Sequence, residues 1–97
     1  MFEVKLTDEA LVDLDLVTDF YSNISFELGI KFLEHFDDCL LQLENIPFFQ
    51  IRYDEIRIRQ IRKFPMLLHY ILYESTKTVV IFGIRFAKSD PENYPSI

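Results

Sequence analysis

The chain has 97 residues, enough for one domain with its own core, and 49% of them are hydrophobic, which excludes an intrinsically disordered protein. The formal net charge of −6 is divided unevenly, since residues 1–50 carry a net −9 and residues 51–97 a net +3. The single cysteine excludes an internal disulfide. The N-terminal residues lack the basic and apolar pattern of a signal peptide, and no apolar run reaches the length of about 18 residues that a membrane span needs. We therefore expect one cytoplasmic domain, residues 1–97, with an acidic and a basic half.

The first fifty residues predict a strand followed by two helices. Residues 2–7 alternate as a strand does, and residues 7–23 then change to helical spacing, with Thr7 or Asp8 as the N-cap. The apolar residues at helical spacing are Leu11, Leu14, Val17, Tyr21 and Ile24.

The second predicted helix covers residues 26–45, with Ser25 as its N-cap and Pro47 as its stop. Its apolar stripe consists of Phe32, Phe36, Leu40 and Leu43, joined by Leu33 and Cys39. Because the joint between the two helices is so short, we expect an antiparallel helical hairpin.

The second half of the chain has the period of two that is typical of strands. After a loop, "PFFQIRYDE", the strands are "EIRIRQIRKF" (55–64), "MLLHYILY" (66–73) and "TVVIFGIRF" (78–86). The middle strand is apolar on both faces, which indicates a central strand covered on both sides. The order β-α-α-β-β-β predicts an α+β fold: an N-terminal strand, a helical hairpin, and a three-stranded antiparallel meander forming one twisted sheet.

The stretch "IRIRQIRK" (56–63) concentrates four basic residues in an acidic chain. In a regular strand Arg62 would point to the side opposite Arg57 and Arg59, and a buried unpaired guanidinium is costly. We therefore predict a β-bulge near Gln60, which would turn the isoleucines toward the helices and the three arginines to the other side. Those arginines are either a solvated face or a surface that binds an anionic partner. The aromatic residues Phe48, Phe49 and Tyr53 beside them could each belong to the core or to an interface.

Other reactive side chains favour ordinary structural roles. His35 is expected on a helix surface, Cys39 in the core, and Asp13 and Asp15 as solubility charge, because helix neighbours so close in sequence do not face one another. His69 has no Cys, Asp or His at ligand spacing, so we expect no metal site and no cofactor.

The order of elements, with "FPMLLHYILY" after a basic strand and "DPENY" soon after the last strand, resembles the RelE/ParE superfamily. These proteins are the toxins of bacterial type II toxin–antitoxin systems, and the likeness covers nearly the whole chain. The helices resemble the family's first and second helices, and "IRQIRKFPMLLHYIL" followed by "TVVIFGI" resembles its basic strand and hydrophobic hairpin.

The resemblance implies one of two mechanisms, each controlled by an antitoxin whose C-terminal segment wraps the toxin. RelE-like members are ribosome-dependent endoribonucleases that cut mRNA, whereas ParE-like members, of the plasmid-stabilisation type, inhibit DNA gyrase. RNA cleavage requires positive charge at the phosphate and a general acid and base.

For a RelE-like nuclease the resemblance assigns catalysis to Arg62 and, loosely, to Tyr94. Phe86 stands where the family commonly has His, and Ser89 where it commonly has Arg, while Arg85 and Lys88 are out of phase. A tyrosine near its reference pKa of about 10 is also a poor base at neutral pH.

The sequence therefore favours a ParE-like toxin that causes growth inhibition by binding a target protein, with DNA gyrase as the target suggested by the resemblance. The alternatives are a RelE-like endoribonuclease and a non-toxic, antitoxin-binding module. Nucleic acid would be involved only indirectly, no membrane is expected, and the chain could form a homodimer or a toxin–antitoxin hetero-oligomer. The predicted partner-binding residues are Arg57, Arg59, Arg62, Arg85 and Lys88.

Overall fold

A computed structural model describes residues 1–88, 92, 94 and 95 of the chain. The elements in chain order are β1 (Glu3–Leu6), α1 (Asp8–Ile24), α2 (Phe26–Asn45), β2 (Ile51–Tyr53), β3 (Ile56–Gln60), β4 (Met66–Tyr73) and β5 (Thr78–Phe86). The two predicted helices and the last two strands therefore lie where the spacing places them. Thr7 and Ser25 are the N-caps, since their side chains accept hydrogen bonds from the Ala10 and Leu28 backbone N–H groups.

The strands form one five-stranded sheet in the order β1-β5-β4-β3-β2. The prediction of an α+β fold is confirmed, and β4 is the central strand, but the sheet is mixed because β1 pairs in parallel with β5. The meander also has a fourth strand, β2, in the segment predicted as a loop. With three residues, β2 is too short to reveal its alternation in the sequence.

The core lies between the helical hairpin and one face of the sheet. Tyr21 of α1 and Phe32 of α2 stack with ring centroids 5.3 Å apart, and Phe64 packs edge-on against both. Cys39 is buried, as predicted. Leu11, Ile24 and Leu33 are instead exposed, because the helix stripes are narrower than the spacing suggested.

The predicted β-bulge near Gln60 is wrong. β3 pairs evenly with β4 from Arg57, opposite Tyr70, to Gln60, opposite Leu67. Arg59 lies opposite the core residue Leu68, so Arg57 and Arg59 are on the helix side of the sheet.

The isoleucines of β3 point to the other side of the sheet. Ile58 lies opposite His69, and Ile56 is fully buried outside the core that the helices cover. The arginines avoid the cost of burial because the helix side of β3 lies at the edge of that core. There Arg57 donates to the Phe49 carbonyl, and Arg59 donates to Gln42 of α2.

A bulge does occur in β5. His69 pairs with Gly83 and Tyr70 pairs with Ile81, so Phe82 is the extra residue. An added Cβ on Gly83 would lie 2.6 Å from Pro95 Cγ. Gly83 therefore allows Pro95 to lie against the sheet.

Candidate binding groove and aromatic cluster

A groove runs between α2 and β3. It consists of two adjoining cavities, of about 250 Å³ and about 410 Å³, that share Leu41 and Gln42. We call it the α2–β3 groove, and its lining residues are His35, Asp38, Cys39, Leu41, Gln42, Asn45, Ile46, Phe49, Arg59, Gln60 and Arg62.

The two ends of the groove differ in chemistry. Arg59 and Arg62 lie at one end, opposite Asp38 on the helix wall, while Ile46 and Phe49 lie at the other end. The Arg59 guanidinium stacks over the Phe49 ring, 4.9 Å from its centroid. The groove is therefore polar and partly cationic at one end and apolar at the other.

The structure brings only some of the predicted partner-binding residues together. Arg59 and Arg62 share the groove, and Arg57 lies on the same side of β3. Arg85 forms an ion pair with Asp13 of α1, and Lys88 is exposed beyond the end of β5. The five basic residues do not form one continuous surface.

The opposite face of the sheet carries an aromatic cluster, which we define as Tyr53, His69 and Tyr94. The His69 and Tyr94 rings are 4.7 Å apart and the Tyr53 and Tyr94 rings 5.4 Å apart. His69 is fully buried. The Tyr53 hydroxyl donates to the Pro95 carbonyl and lies 3.0 Å from His69 Nδ1.

This hydrogen bonding fixes the protonation of His69. Because the single Tyr53 hydroxyl proton is donated to Pro95, Nδ1 of His69 must carry the proton that it shares with Tyr53. Nε2 is then an acceptor, and it is buried without a hydrogen-bond partner among the described residues.

Burial shifts the pKa values of His69 and Tyr53 toward the neutral forms. Burial, together with the positive charges of Arg85 and Arg52 and against the opposing charge of Asp13, lowers the pKa of His69 to about 4. Burial, with the nearby Asp54 and Tyr94, raises the pKa of Tyr53 to about 12. Neither group is suited to act as an acid or base near neutral pH.

Arg62 and Tyr94, the two residues assigned to RNA cleavage, line different cavities. Arg62 lines the α2–β3 groove, whereas Tyr94 lines a cavity with Arg52, Tyr53 and Ile58 on the other face. Phe86, where the family commonly has His, is half exposed. Ser89 and most of "DPENY" lie outside the described residues.

Asp13 is not the solubility charge that its helix position predicted. Its Oδ2 accepts a hydrogen bond from the Ile84 backbone N–H at 3.1 Å and another from Arg85. No sequence signal pointed to this contact, because its partners are 71 and 72 residues away in β5. The place of His69 could have been inferred. Alternation along β4 puts its side chain on the other face of the sheet from the side chains of Leu68 and Tyr70, which lie in the core.

The structure separates the three aromatic residues whose role the sequence left open. Phe48 is exposed, Phe49 packs against the core while lining the groove, and Tyr53 belongs to the aromatic cluster.

Within the described part of the chain, no helix is long and apolar enough to cross a membrane. The same residues include no group of His, Cys, Asp or Glu side chains arranged to hold a metal ion.

Comparison with known proteins identifies the fold. No protein-family model and no curated protein matches the chain. Among solved structures, a chain of a chromosomal ParDE TA system from P. aeruginosa superposes with a TM-score of 0.75. The match has 19% sequence identity and covers 89% of this chain and 96% of that chain.

The chain therefore has the same fold as that ParDE TA chain, as the sequence resemblance predicted. At 19% identity the comparison establishes the architecture: an N-terminal strand, two helices and four further strands in one mixed sheet.

Proposed function

We propose that this chain is the toxin of a type II toxin–antitoxin module, acting in the cytoplasm by binding a target protein. DNA gyrase is the first target to test, and a cognate antitoxin would hold the toxin inactive. The observation that carries the proposal is the fold match over 89% of the chain to a ParDE TA chain.

Two features of the structure and the net charge of the chain support protein binding over RNA cleavage. Arg62 and Tyr94 line different cavities, so they are not arranged around one phosphate. His69 has a pKa of about 4 and Tyr53 a pKa of about 12, so neither of these two side chains is a ready proton donor or acceptor near neutral pH. A chain at −6 is also repelled at long range by the RNA of a ribosome.

The experiment that tests the proposed function compares the two mechanisms in the same cells. The chain is induced in a bacterial host, plasmid supercoiling is followed on gels, and mRNA 5′ ends are mapped by primer extension. A ParE-like toxin relaxes the plasmid and leaves the mRNA intact. New 5′ ends within translated mRNA would instead establish the RelE-like alternative.

The assay also addresses the third possibility, a non-toxic antitoxin-binding module. In that case induction changes neither the plasmid nor the mRNA, while a neighbouring reading frame still encodes a protein that co-purifies with the chain. Growth inhibition by the chain, relieved by co-induction of that neighbour, distinguishes a toxin from such a module.

A further inference from the structure

The outer side of α1 carries apolar side chains that the fold leaves in water. Val12, Leu16 and Phe20 are four residues apart, so they lie one turn apart along the helix surface. Val12 is 58%, Leu16 63% and Phe20 48% exposed. Phe86, at the end of β5, extends this surface, since its ring lies 5.8 Å from the ring of Phe20. We call these four residues the α1 strip, and contiguous exposed apolar side chains of this kind are typical of a binding surface.

A cavity of about 280 Å³ adjoins the α1 strip where β4 begins and β5 ends. Leu16 and Phe86 of the strip line it, together with the buried core residues Val17, Met66 and Ile84. The cavity shares no lining residue with the α2–β3 groove, so it belongs to a separate surface. It offers a place for one apolar side chain of a partner to anchor against the core.

The charge of α1 is entirely negative, because the helix contains five acids and no Lys or Arg. Asp13 forms an ion pair with Arg85. Asp8, Asp15 and Asp19 are exposed, and they form no ion pair among the residues that the structure describes. Since these three are seven and four residues apart, they form a row along one side of the helix.

The row of acids adjoins the α1 strip and selects the chemistry of an occupant. Asp8 and Asp15 lie four and three residues from Val12, and Asp19 lies three residues from Leu16, which are the spacings of neighbours on a helix surface. Nucleic acid and an anionic membrane are repelled by such a row. A second copy of this chain would add its own acids and no base from its α1. The charges therefore favour a partner with Lys or Arg beside its apolar residues.

The size of the α1 strip fits a single helix better than a whole domain. From Val12 to Phe20 the helix rises about 12 Å, or about two turns. Four side chains near half exposure give an apolar area on the order of 400 Å², whereas a standard interface buries about 800 Å² per partner. A helix laid along the strip would contact it with residues at helical spacing over about two turns.

We infer that the α1 strip binds a basic amphipathic helix of a protein partner. One apolar side chain of that helix enters the cavity between Leu16 and Phe86, and its Lys or Arg residues pair with Asp15 and Asp19. The inference goes beyond the proposed function and does not rest on it, because the apolar strip and the acids define the partner whether or not the chain is toxic.

Fluorescence anisotropy with a labelled model peptide tests the inference. The probe is a synthetic helix of about 18 residues, made of Leu and Lys with Leu at helical spacing. A shuffled peptide of the same composition has the same charge but no apolar face. We expect the wild-type chain to bind the amphipathic peptide at least about 10-fold more tightly than the shuffled one. Equal binding of the two peptides would overturn the inference, because it would show attraction by charge alone.

Two variants of the chain test the two parts of the surface. Leu16→Ser removes the apolar side chain at the mouth of the cavity, and we expect it to weaken binding of the amphipathic peptide by about 10-fold. Asp15→Lys reverses a charge in the row of acids, and it should weaken binding by a similar factor at low salt. The loss from Asp15→Lys should shrink at high salt, whereas the loss from Leu16→Ser should persist.

Matched controls make the same changes elsewhere. Glu34→Lys reverses an exposed acid of α2, and Ile51→Ser changes an apolar residue of β2 that is 48% exposed. Both should leave the affinity within about three-fold, since surface substitutions away from an interface have small effects. Thermal unfolding by circular dichroism verifies that every variant is folded.

Other results would also overturn the inference. An equal loss in Asp15→Lys and Glu34→Lys would assign the effect to long-range charge. A loss in Leu41→Ser in place of Leu16→Ser would put the peptide in the α2–β3 groove. A wild-type chain that sediments as a dimer, and that Leu16→Ser converts to a monomer, would identify a second copy as the occupant of the strip.

Discussion

His69 shows how one buried side chain makes the stability of this protein depend on pH. Its pKa is about 4 in the folded chain, because burial opposes the charged form, against 6.5 for the unperturbed group. Between these values the unfolded chain binds more protons than the folded chain, so the free energy of unfolding falls as the pH falls.

We predict that the wild-type chain is about 2 kcal/mol less stable at pH 5 than at pH 7 because of His69 alone. Urea unfolding at the two pH values measures the difference. His69→Gln should lose most of this dependence, because glutamine does not titrate and can still hydrogen-bond to Tyr53. His35→Gln serves as the control and should keep the pH dependence of the wild type. If His69→Gln also keeps it, other groups cause the pH dependence.

Asp13 is predicted to stabilise the end of β5 that extends beyond its pairing with β1. The parallel pairing of β1 with β5 ends at Leu6 and Ile81, and the Ile84 N–H beyond it donates to the Asp13 carboxylate. Asp13→Ala removes the acceptor for Ile84 and leaves Arg85 without this ion pair. We expect a loss of about 1 to 3 kcal/mol in the free energy of unfolding, measured in urea.

Two further substitutions test the cause of that loss. Asp13→Asn keeps an oxygen acceptor for the backbone N–H and should cost less than Asp13→Ala. Asp15→Ala removes an exposed acid from the same helix and should change stability by no more than about 0.5 kcal/mol. Equal losses for Asp13→Ala and Asp15→Ala would contradict a specific role for Asp13.

At the scale of elements, Gly29 sets the close approach of the two helices. A Cβ on Gly29 would lie 2.0 Å from Ser22 Oγ and 3.2 Å from Ser22 Cα, so α1 and α2 would have to move apart. Gly29→Ala should therefore lower stability by about 1 to 2 kcal/mol, although alanine is the better helix former by about 1 kcal/mol.

A double-mutant cycle with Ser22→Gly tests this prediction, because that change removes the side chain that the new methyl group would meet. Gly29→Ala should cost less in the Ser22→Gly background than in the wild type, as judged by thermal unfolding. If alanine stabilises the chain, or costs the same in both backgrounds, the helices are not held at this point.

The elements that the sequence predicted well are those with local signals. Ser25 and Pro47 bracket α2, and the two apolar faces of β4 identify the central strand. The parallel partner of β1 carries no local signal, since β1 and β5 are joined only through the whole of the rest of the chain. For this reason the sheet was predicted as antiparallel and observed as mixed.

The direction in which the arginines of β3 point depends on where this strand lies relative to the helix layer. The burial cost of a guanidinium predicted that Arg57 and Arg59 face away from the helices, and this would hold for a strand under the middle of a helix. Here β3 lies at the edge of the helix layer, so Arg59 reaches Gln42 and the groove while remaining on the helix side. The position of a strand relative to a helix end is a property of packing that the alternation of residues does not contain.

At the scale of the whole molecule, charge and fold together define two surfaces. The helical half is acidic, with a net −9 over residues 1–50, and the sheet half is basic, with a net +3 over residues 51–97. The α2–β3 groove lies where the two halves meet, so a partner can use both ion pairing and apolar burial there.

If the α2–β3 groove binds the antitoxin of the proposed module and toxicity depends on another surface, one substitution should affect the two differently. Arg62→Ala should still inhibit growth when the chain is induced alone, but the antitoxin should relieve that inhibition less completely than for the wild type. Growth curves with and without co-induction of the neighbouring protein measure both effects, and Lys31→Ala, an exposed change elsewhere on α2, is the matched control. Full relief for Arg62→Ala would place capture outside the groove.

The most direct test of the central claim is the viable-cell count after induction of the chain alone in a bacterial host, with wild type and Arg62→Ala compared side by side. A toxin that acts by binding a protein should kill with both chains, because no Arg62 chemistry is involved. Loss of killing in a folded Arg62→Ala chain would contradict the account and favour RNA cleavage, and no killing by either chain would favour a module without toxicity.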